Sequence, residues 1–289
     1  MDATDRQRVP ALLDSLANRL AGASALDTIA DPLQSLVTRM PAGRVKDALS
    51  GTPAGHPLHP ALVAVPIGAF TSVAVLDASG THPEATRRLL GFGILSVLPT
   101  AATGLSDWGD TGGGDRRVGV VHALGNVAAT SLMAASWWRR GRGHDGRVLS
   151  TAGLGLIAFS GWLGGHLTYA LGTGVDVTAF NDGIADWTDA MSDADLTDGG
   201  LAVATVQGND VLLARHNGQV HAIADACTHR GAPLHEGELV DGCVQCPWHG
   251  SRFLLDDGSI ARGPASRPQP TYSARVVDGR VQIKSRATD

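Results

Sequence analysis

Cysteine is scarce here, with three residues in 289. That excludes a disulfide framework. Aromatic residues make up only 4% of the chain, with two Tyr and five Phe. No excess of positive charge exists either. A net charge of −5 argues against a nucleic-acid partner. Residues 173–200 hold no Lys or Arg at all, only a run of aspartates. Near the start, Asp14, Asn18 and Arg19 interrupt any apolar segment, so no secretory signal is expected, and no twin-arginine signal precedes them. A mean hydropathy of +0.03 is high for a chain with a polar end, so apolar residues must be concentrated elsewhere.

They are concentrated in four stretches, Pro60–Ala78, Leu89–Leu105, Val118–Trp138 and Val148–Leu171, joined by short charged connections. Each approaches the roughly 17–25 residues that cross hydrocarbon as a helix. A buried soluble bundle is the alternative. Four such lengths in succession, with charge only between them, favour a transmembrane bundle. Trp108, Trp137 and Trp138 fall at span ends, as interfacial aromatics would. Gly161-x-x-x-Gly165 suggests close helix approach in the fourth span.

Before the spans, Leu12, Leu13, Leu16 and Leu20, and then Leu33, Leu36, Val37 and Met40, recur at helical spacing. These read as amphipathic helices that suit either the membrane surface or the underside of a C-terminal domain. After the spans the period changes. Val203–Val206, Val211–Ala214 and Val220–Ala224 are short apolar runs separated by Gly208-Asn209-Asp210 and Asn217-Gly218, and Asp278-Gly279 marks a last hairpin. The expected organisation is an N-terminal helical region (1–50), a four-helix transmembrane domain (51–175), an acidic linker (176–199) and a small antiparallel all-β domain (200–289).

The β region carries Cys227-Thr-His229 and, sixteen residues on, Cys246-Pro-Trp-His249. One sulfur and one nitrogen from each half suit a [2Fe–2S] cluster with two thiolates on one iron and two imidazoles on the other. Zinc also takes Cys and His, but its ribbons and fingers usually open with paired cysteines. Cys243 makes Cys-x-x-Cys with Cys246. The Pro-Trp-His-Gly after Cys246 marks Cys246 as the ligand and leaves Cys243 a half-buried strand residue.

Cys227-Thr-His-Arg-Gly-Ala-Pro-Leu234, Cys246-Pro-Trp-His-Gly-Ser-Arg-Phe253, Asp257-Gly258 and Gly263-Pro264-Ala265 together resemble the ferredoxin-like branch of the Rieske family over residues 190–287. The resemblance implies metal ligation by Cys227, His229, Cys246 and His249, and electron transfer. The cysteine clip of respiratory Rieske proteins is replaced by Ala232 and Trp248, which fits a reducing compartment. By the same resemblance Ser251 would donate to a cluster sulfur. Phe253 lacks the hydroxyl found in the high-potential branch, which implies a lower potential.

His56-Pro-Leu-His59-Pro, Thr103-Gly-Leu-Ser-Asp107-Trp, Val121-His122-Ala-Leu-Gly-Asn126 and Gly164-Gly-His166-Leu resemble a family of four-helix bacterial membrane proteins of unsettled function, over residues 50–175. In an up-and-down bundle, His56, His59, Asp107, His122 and His166 would share one membrane level, and Asn126 would flank His122. Ionisable residues in spans usually mark functional sites. This level therefore reads as a cofactor site for haem b, a non-haem metal or a quinone. Asp77, at the other level, reads as interfacial and wet.

The function expected is that of a membrane-anchored Rieske carrier. It would pass single electrons between a cytosolic reductase or ferredoxin-like partner and the His-rich level. Two rivals stand beside it: an oxygenase-like enzyme using the membrane histidines as its metal site, and a tethered redox sensor or docking module. Only forty residues follow His249, too few for the catalytic domain of a Rieske oxygenase. Counting Lys and Arg slightly favours the Arg87/Arg139 side as cytoplasmic. Cluster assembly and the missing cysteine clip argue instead for both termini, and the Rieske domain, on the cytoplasmic side of a bacterial membrane.

Overall fold

The computed structural model describes residues 3–286, with side chains described from Leu12. Its N-terminal part is helical: α1 (Ala3–Gly22), α2 (Asp27–Val37), α3 (Arg44–Ser50), α4 (His59–Leu62), α5 (Ala64–Ser79), α6 (Pro83–Gly109), α7 (Gly113–Gly141) and α8 (Arg147–Tyr169). The helices α4 and α5 together, and α6, α7 and α8, are long and apolar enough to cross a membrane. Each boundary has a local cause. At the end of α5, Gly80 adopts φ 69° and its N–H bonds to the Leu76 and Asp77 carbonyls. Proline then opens α6 at Pro83.

Only 22–28% of each span is buried inside the protein. Phe92, Leu95, Leu98, Val75 and Val127 point outward. A water-soluble bundle would not leave such apolar faces uncovered; a lipid-facing one must. Inside, Phe70, Val73, Leu90 and Met133 form the core. Glycine makes the packing close where it matters. A Cβ on Gly93 would lie 2.6 Å from the Phe70 ring, and one on Gly153 would lie 3.1 Å from the Met133 methyl. The expected glycine contact at Gly161 and Gly165 is not made, since a Cβ at either would meet nothing within 4 Å. Those two glycines face away from the neighbouring helices.

The helix α2 is docked by charge. Asp27 takes Arg116 and Arg117, each at 2.7 Å, and Gln34 donates to the Gly109 and Thr111 carbonyls. Trp108 is buried against Ala30 and Val120 and donates its indole N–H to the Arg116 carbonyl. It is therefore a packing residue and not an interfacial anchor; Trp137 and Trp138 remain exposed at 37% and 55%. The two guanidinium groups hold the Asp27 carboxyl down at about 2. This lowered value means that the contact stabilises above the ordinary pKa of 3.8 and is lost as pH falls through about 2. Asp27→Asn should release α2 at neutral pH. Limited proteolysis within Asp27–Val37 checks this, and wild-type resistance in the variant would refute it.

The chain separates into two compact units at boundaries other than those expected. One holds residues up to Met40 together with Leu58–Thr173; the other holds Pro41–Pro57 and residues from Gly174 onward. Residues 41–57 join the β unit because Thr52 Oγ1 donates to the Ala265 carbonyl at 2.8 Å and Gly263 lies against Asp47 and Thr52.

The β unit has ten strands: β1 (Thr188–Ser192), β2 (Leu201–Val206), β3 (Asn209–His216), β4 (Gln219–Ala224), β5 (Glu238–Val240), β6 (Cys243–Gln245), β7 (Arg252–Leu254), β8 (Ile260–Arg262), β9 (Thr271–Val277) and β10 (Arg280–Ser285). They form two antiparallel sheets, ordered β1-β10-β9-β4-β3-β2 and β5-β6-β7-β8. Four hairpins turn on two residues that both have positive φ: Gln207-Gly208, Asn217-Gly218, Asp241-Gly242 and Asp278-Gly279. These are the turns whose twist matches paired strands. The first turn lies earlier than expected, and Asn209 and Asp210 belong to β3.

The expected acidic linker is largely structure. Thr188 and Met191 pair with Ile283 and Val281, and Ile184 and Leu196 are buried in the core of the larger sheet. An irregularity between Asp189 and Met191 lets both Ala190 and Met191 pack against that core, while Asp189 and Asp193 bind Arg280 and Arg215. An aspartate count alone cannot reveal that pairing.

Candidate functional site

Two loops carry the Cys/His residues, one between β4 and β5 and one between β6 and β7. They are built alike. The Cys227 N–H bonds to the Ala232 carbonyl at 2.9 Å, and its carbonyl accepts from Gly231 at 2.7 Å. The Cys246 N–H bonds to the Ser251 carbonyl at 2.8 Å, and its carbonyl accepts from Gly250 at 3.1 Å. Gly231 and Gly250 close these turns at φ 71° and 73°, the left-handed region glycine enters without strain.

Each closed turn aims backbone N–H groups at its own sulfur, from His229 and Arg230 onto Cys227 and from His249, Trp248 and Gly250 onto Cys246. Both cysteines are buried, and their thiols lie within hydrogen-bond reach of one another. The hydrogen bond from Cys227 and then the backbone donors bring Cys246 down to about 6, whereas that same contact and burial push Cys227 up. The His229 and His249 rings meet edge to face, with centroids 5.0 Å apart, and are half-buried. Burial, then the neighbouring His249, Arg230 and Lys46, hold His229 well below the ordinary imidazole value. The result is a sulfur pair inside and a half-buried imidazole pair beside it.

The loops are clamped by residues that sequence reading did not single out. Gln269 is 2% exposed. Its amide donates to the Ala224 and Ala226 carbonyls at 2.7 and 2.6 Å and accepts from the Thr228 N–H at 3.1 Å. Asp225 takes both the backbone N–H and the ring Nδ1 of His235, at 2.9 and 2.8 Å. On the second loop, Arg262 donates twice to the Gly250 carbonyl and once to Gln245. Ser251 Oγ accepts the Ala265 N–H at 2.9 Å, which leaves its hydroxyl proton to donate. Phe253 is fully buried in the core, and Cys243 is buried, more deeply than expected of it.

In the bundle, His59 and His122 are placed alike, each heading a helical hairpin. The His59 Nδ1 lies 2.9 Å from the Thr100 carbonyl, and the His122 Nδ1 lies 2.7 Å from the Ser160 carbonyl. A carbonyl only accepts, so both Nδ1 atoms carry the proton. One turn beyond each carbonyl, Gly104 and Gly164 make room for the ring.

The remaining members of the expected level do not complete a ligand set. His56 is exposed and groups with the β unit; Asp107 and His166 are half-buried, with the His166 ring 5.6 Å from that of Trp162. The His122 Nε2 accepts from Asn126 at 3.1 Å, so both its nitrogens are engaged within the bundle. Among the described residues, no three His, Cys, Asp or Glu side chains cluster as a single metal ion requires. This geometry lends no support to a metal at this level or to the oxygenase-like enzyme that needed one, and His122, with both nitrogens engaged, is not free to ligate a haem. These two imidazoles tie helices together.

Eighteen residues after His59 and His122 come Asp77 and Arg140, which meet at 2.7 Å. They are 10% and 11% exposed. Ser150 also donates to Asp77. Asp77 is therefore a buried ion-pair partner rather than a wet interfacial residue. Eighteen helical residues span about 27 Å, close to the roughly 30 Å of a bilayer's hydrocarbon.

Residues 186–273 match the family model described as the Rieske [2Fe-2S] domain, and residues 55–177 match that described as "Predicted membrane protein (DUF2231)". The ferredoxin component of the naphthalene 1,2-dioxygenase system of Pseudomonas putida is 29% identical over 97 residues, which are 34% of this chain and 93% of the relative. Apoptosis-inducing factor 3 of Mus musculus is 33% identical over 91 residues, 32% of this chain; the chain spans only 15% of that relative's length. Among solved structures, the ferredoxin of carbazole 1,9a-dioxygenase from Nocardioides aromaticivorans IC177 is 23% identical, covering 35% of this chain and 100% of that one, with a TM-score of 0.34.

Proposed function

Because this chain joins a Rieske [2Fe–2S] domain to a DUF2231 domain with four apolar helices of spanning length, we propose that it is a membrane-anchored one-electron carrier. The observation that carries the reading is the pair of like-built loops, each presenting one thiol and one imidazole. We assign Cys227 and Cys246 to one iron and His229 and His249 to the other. The donor set fits: a buried sulfur pair and a separate imidazole pair suit two bridged metals rather than one ion. Zinc would want all four donors around a single centre.

A [2Fe–2S] cluster held there supplies one-electron transfer. The protein's part is to set the potential and expose the site. Backbone N–H groups aimed at Cys227 and Cys246 offset thiolate charge. Gln269 and Arg262 hold the two loops in place. The half-buried His229 and His249 bring the site to the surface, where a soluble partner can reach it. The ferredoxin relative belongs by name to a dioxygenase system. For this chain we infer a reductase or ferredoxin-like partner.

The imidazoles at the solvent side can gain a proton as the site gains an electron. Raising the pH should then lower the potential, with a slope approaching about 59 mV per pH unit once deprotonation sets in. Protein-film voltammetry from about pH 6 to about pH 11 tests this. A potential that stays flat across the range would argue against two imidazole ligands.

The same reading places the Rieske domain in the cytoplasm. An even number of spans brings both chain ends to one side. The three cysteines are unpaired with each other as disulfides, and Ala232 and Trp248 stand where respiratory relatives carry a clip. A C-terminal fusion to a reporter that matures only in the cytosol should be active. Activity of a C-terminal phosphatase fusion in the periplasm would reverse the orientation.

A further inference from the structure

The end of the bundle that carries the Asp77–Arg140 pair holds a cleft of about 640 Å³. Its lining includes Arg87, Arg140, Arg147, His144, Glu84 and Asp145. Residues 77–88 and 139–147 together contain six arginines against three carboxylates, an excess of three positive charges.

All three carboxylates are already engaged. Asp77 binds Arg140 and lies 4.0 Å from the Arg147 guanidinium, Glu84 binds Arg88 at 2.5 Å, and Asp145 caps the Arg147 N–H at 2.9 Å. Arg87 and Arg142 are spent differently. They lie over the Trp137 and Trp138 rings, at 4.7 and 3.6 Å from the centroids. An indole face orders a guanidinium without neutralising it. Gly141 keeps this arrangement open, since a Cβ there would lie 3.0 Å from the Arg87 guanidinium.

An ordered, uncompensated guanidinium beside a cleft is suited to a phosphate oxygen pair. The flanks of the cleft are apolar and outward-facing, with Trp138 55% and Val148 82% exposed. We propose that this cleft binds the phosphate of an anionic phospholipid headgroup, with the acyl chains following the outer faces of α7 and α8. The volume suits a glycerophosphate headgroup. Clustered arginines at a membrane face attract anionic headgroups by charge.

The test uses the full chain, purified in a neutral detergent and carrying its cluster. Short-chain phosphatidylglycerol, the matching phosphatidylcholine and inorganic phosphate are titrated separately, with tryptophan fluorescence as the readout. Phosphatidylglycerol should bind at least about tenfold more tightly than phosphatidylcholine, with affinity falling as salt rises. Arg87→Gln and Arg147→Gln should each weaken it by about tenfold, the loss of one charge-assisted contact, and leave the Rieske EPR signal unchanged. Arg87 is exposed, so Arg87→Gln decides the matter should Arg147→Gln fail to fold. Equal binding of the two lipids, or wild-type affinity in Arg87→Gln, would overturn the proposal. Inorganic phosphate binding as tightly as phosphatidylglycerol would overturn the lipid assignment and leave a soluble-anion site.

Discussion

Cys246→Ser should yield protein without a Rieske EPR signal and without acid-labile sulfide, whereas Cys243→Ser should keep both. The two cysteines are three positions apart and both buried, so exposure does not distinguish them. Geometry does. Cys246 sits in a closed turn whose N–H groups point at its sulfur, within hydrogen-bond reach of Cys227. Cys243 lies on β6 opposite Leu254, with its sulfur 3.9 Å from the Asp241 carbonyl. A hydroxyl in place of the Cys246 thiol cannot act as a soft thiolate ligand. Binding of a metal group contributes directly to the stability of the fold that binds it. The Cys246→Ser chain should therefore also melt its β unit earlier, by circular dichroism at β-sheet wavelengths, than the Cys243→Ser chain. Stoichiometric zinc without iron in the wild type would sink the assignment altogether.

The second large effect is expected in the bundle. Asp77→Ala should destabilise it by about 3–5 kcal/mol, because it leaves the Arg140 charge buried and uncompensated. Arg140 is 11% exposed, and its hydrogen-bond partners Ser136 and Ser150 cannot supply a negative charge. The double variant Asp77→Leu/Arg140→Met should recover most of the loss, since apolar residues of similar volume often replace a buried pair at little cost. Thermal unfolding in detergent, with the EPR signal of the Rieske domain as an internal control, measures both. A single variant as stable as wild type would mean that Arg140 reaches the headgroup region by itself. The same pair separates the lipid cleft from the fold: Arg87→Gln changes lipid binding, and Asp77→Ala changes stability.

Much of this was legible in the sequence. The four ligand candidates could be read because each Cys-x-His or Cys-x-x-His pair is held by a turn of six residues, and a turn that short is dictated by neighbours. The spans could be read from length and composition. Hairpins at Asn217-Gly218 and Asp278-Gly279 were announced by residue types that tolerate positive φ. Gln269, Arg262 and Asp225 were not legible. Gln269 reaches its partners across more than forty residues, and nothing in Arg267-Pro-Gln-Pro270 marks that amide as buried.

Within the membrane domain the division is the same. Composition alone determined that four helices carry apolar residues for a span's length, and that histidines fall near their ends. Only the tertiary structure decided what those histidines do. His122 finds its carbonyl thirty-eight residues away at Ser160, where Gly164 leaves space, and finds its second partner one turn on at Asn126. With both nitrogens engaged, the ring is a tie rather than a ligand. Likewise, Asp77 looks like any interfacial aspartate until Arg140 arrives from another helix. Periodicity and short turns are set by chain neighbours and can be read along the sequence. The partner of a polar atom depends on which distant segment packs against it, and that is decided only when the helices and sheets come together.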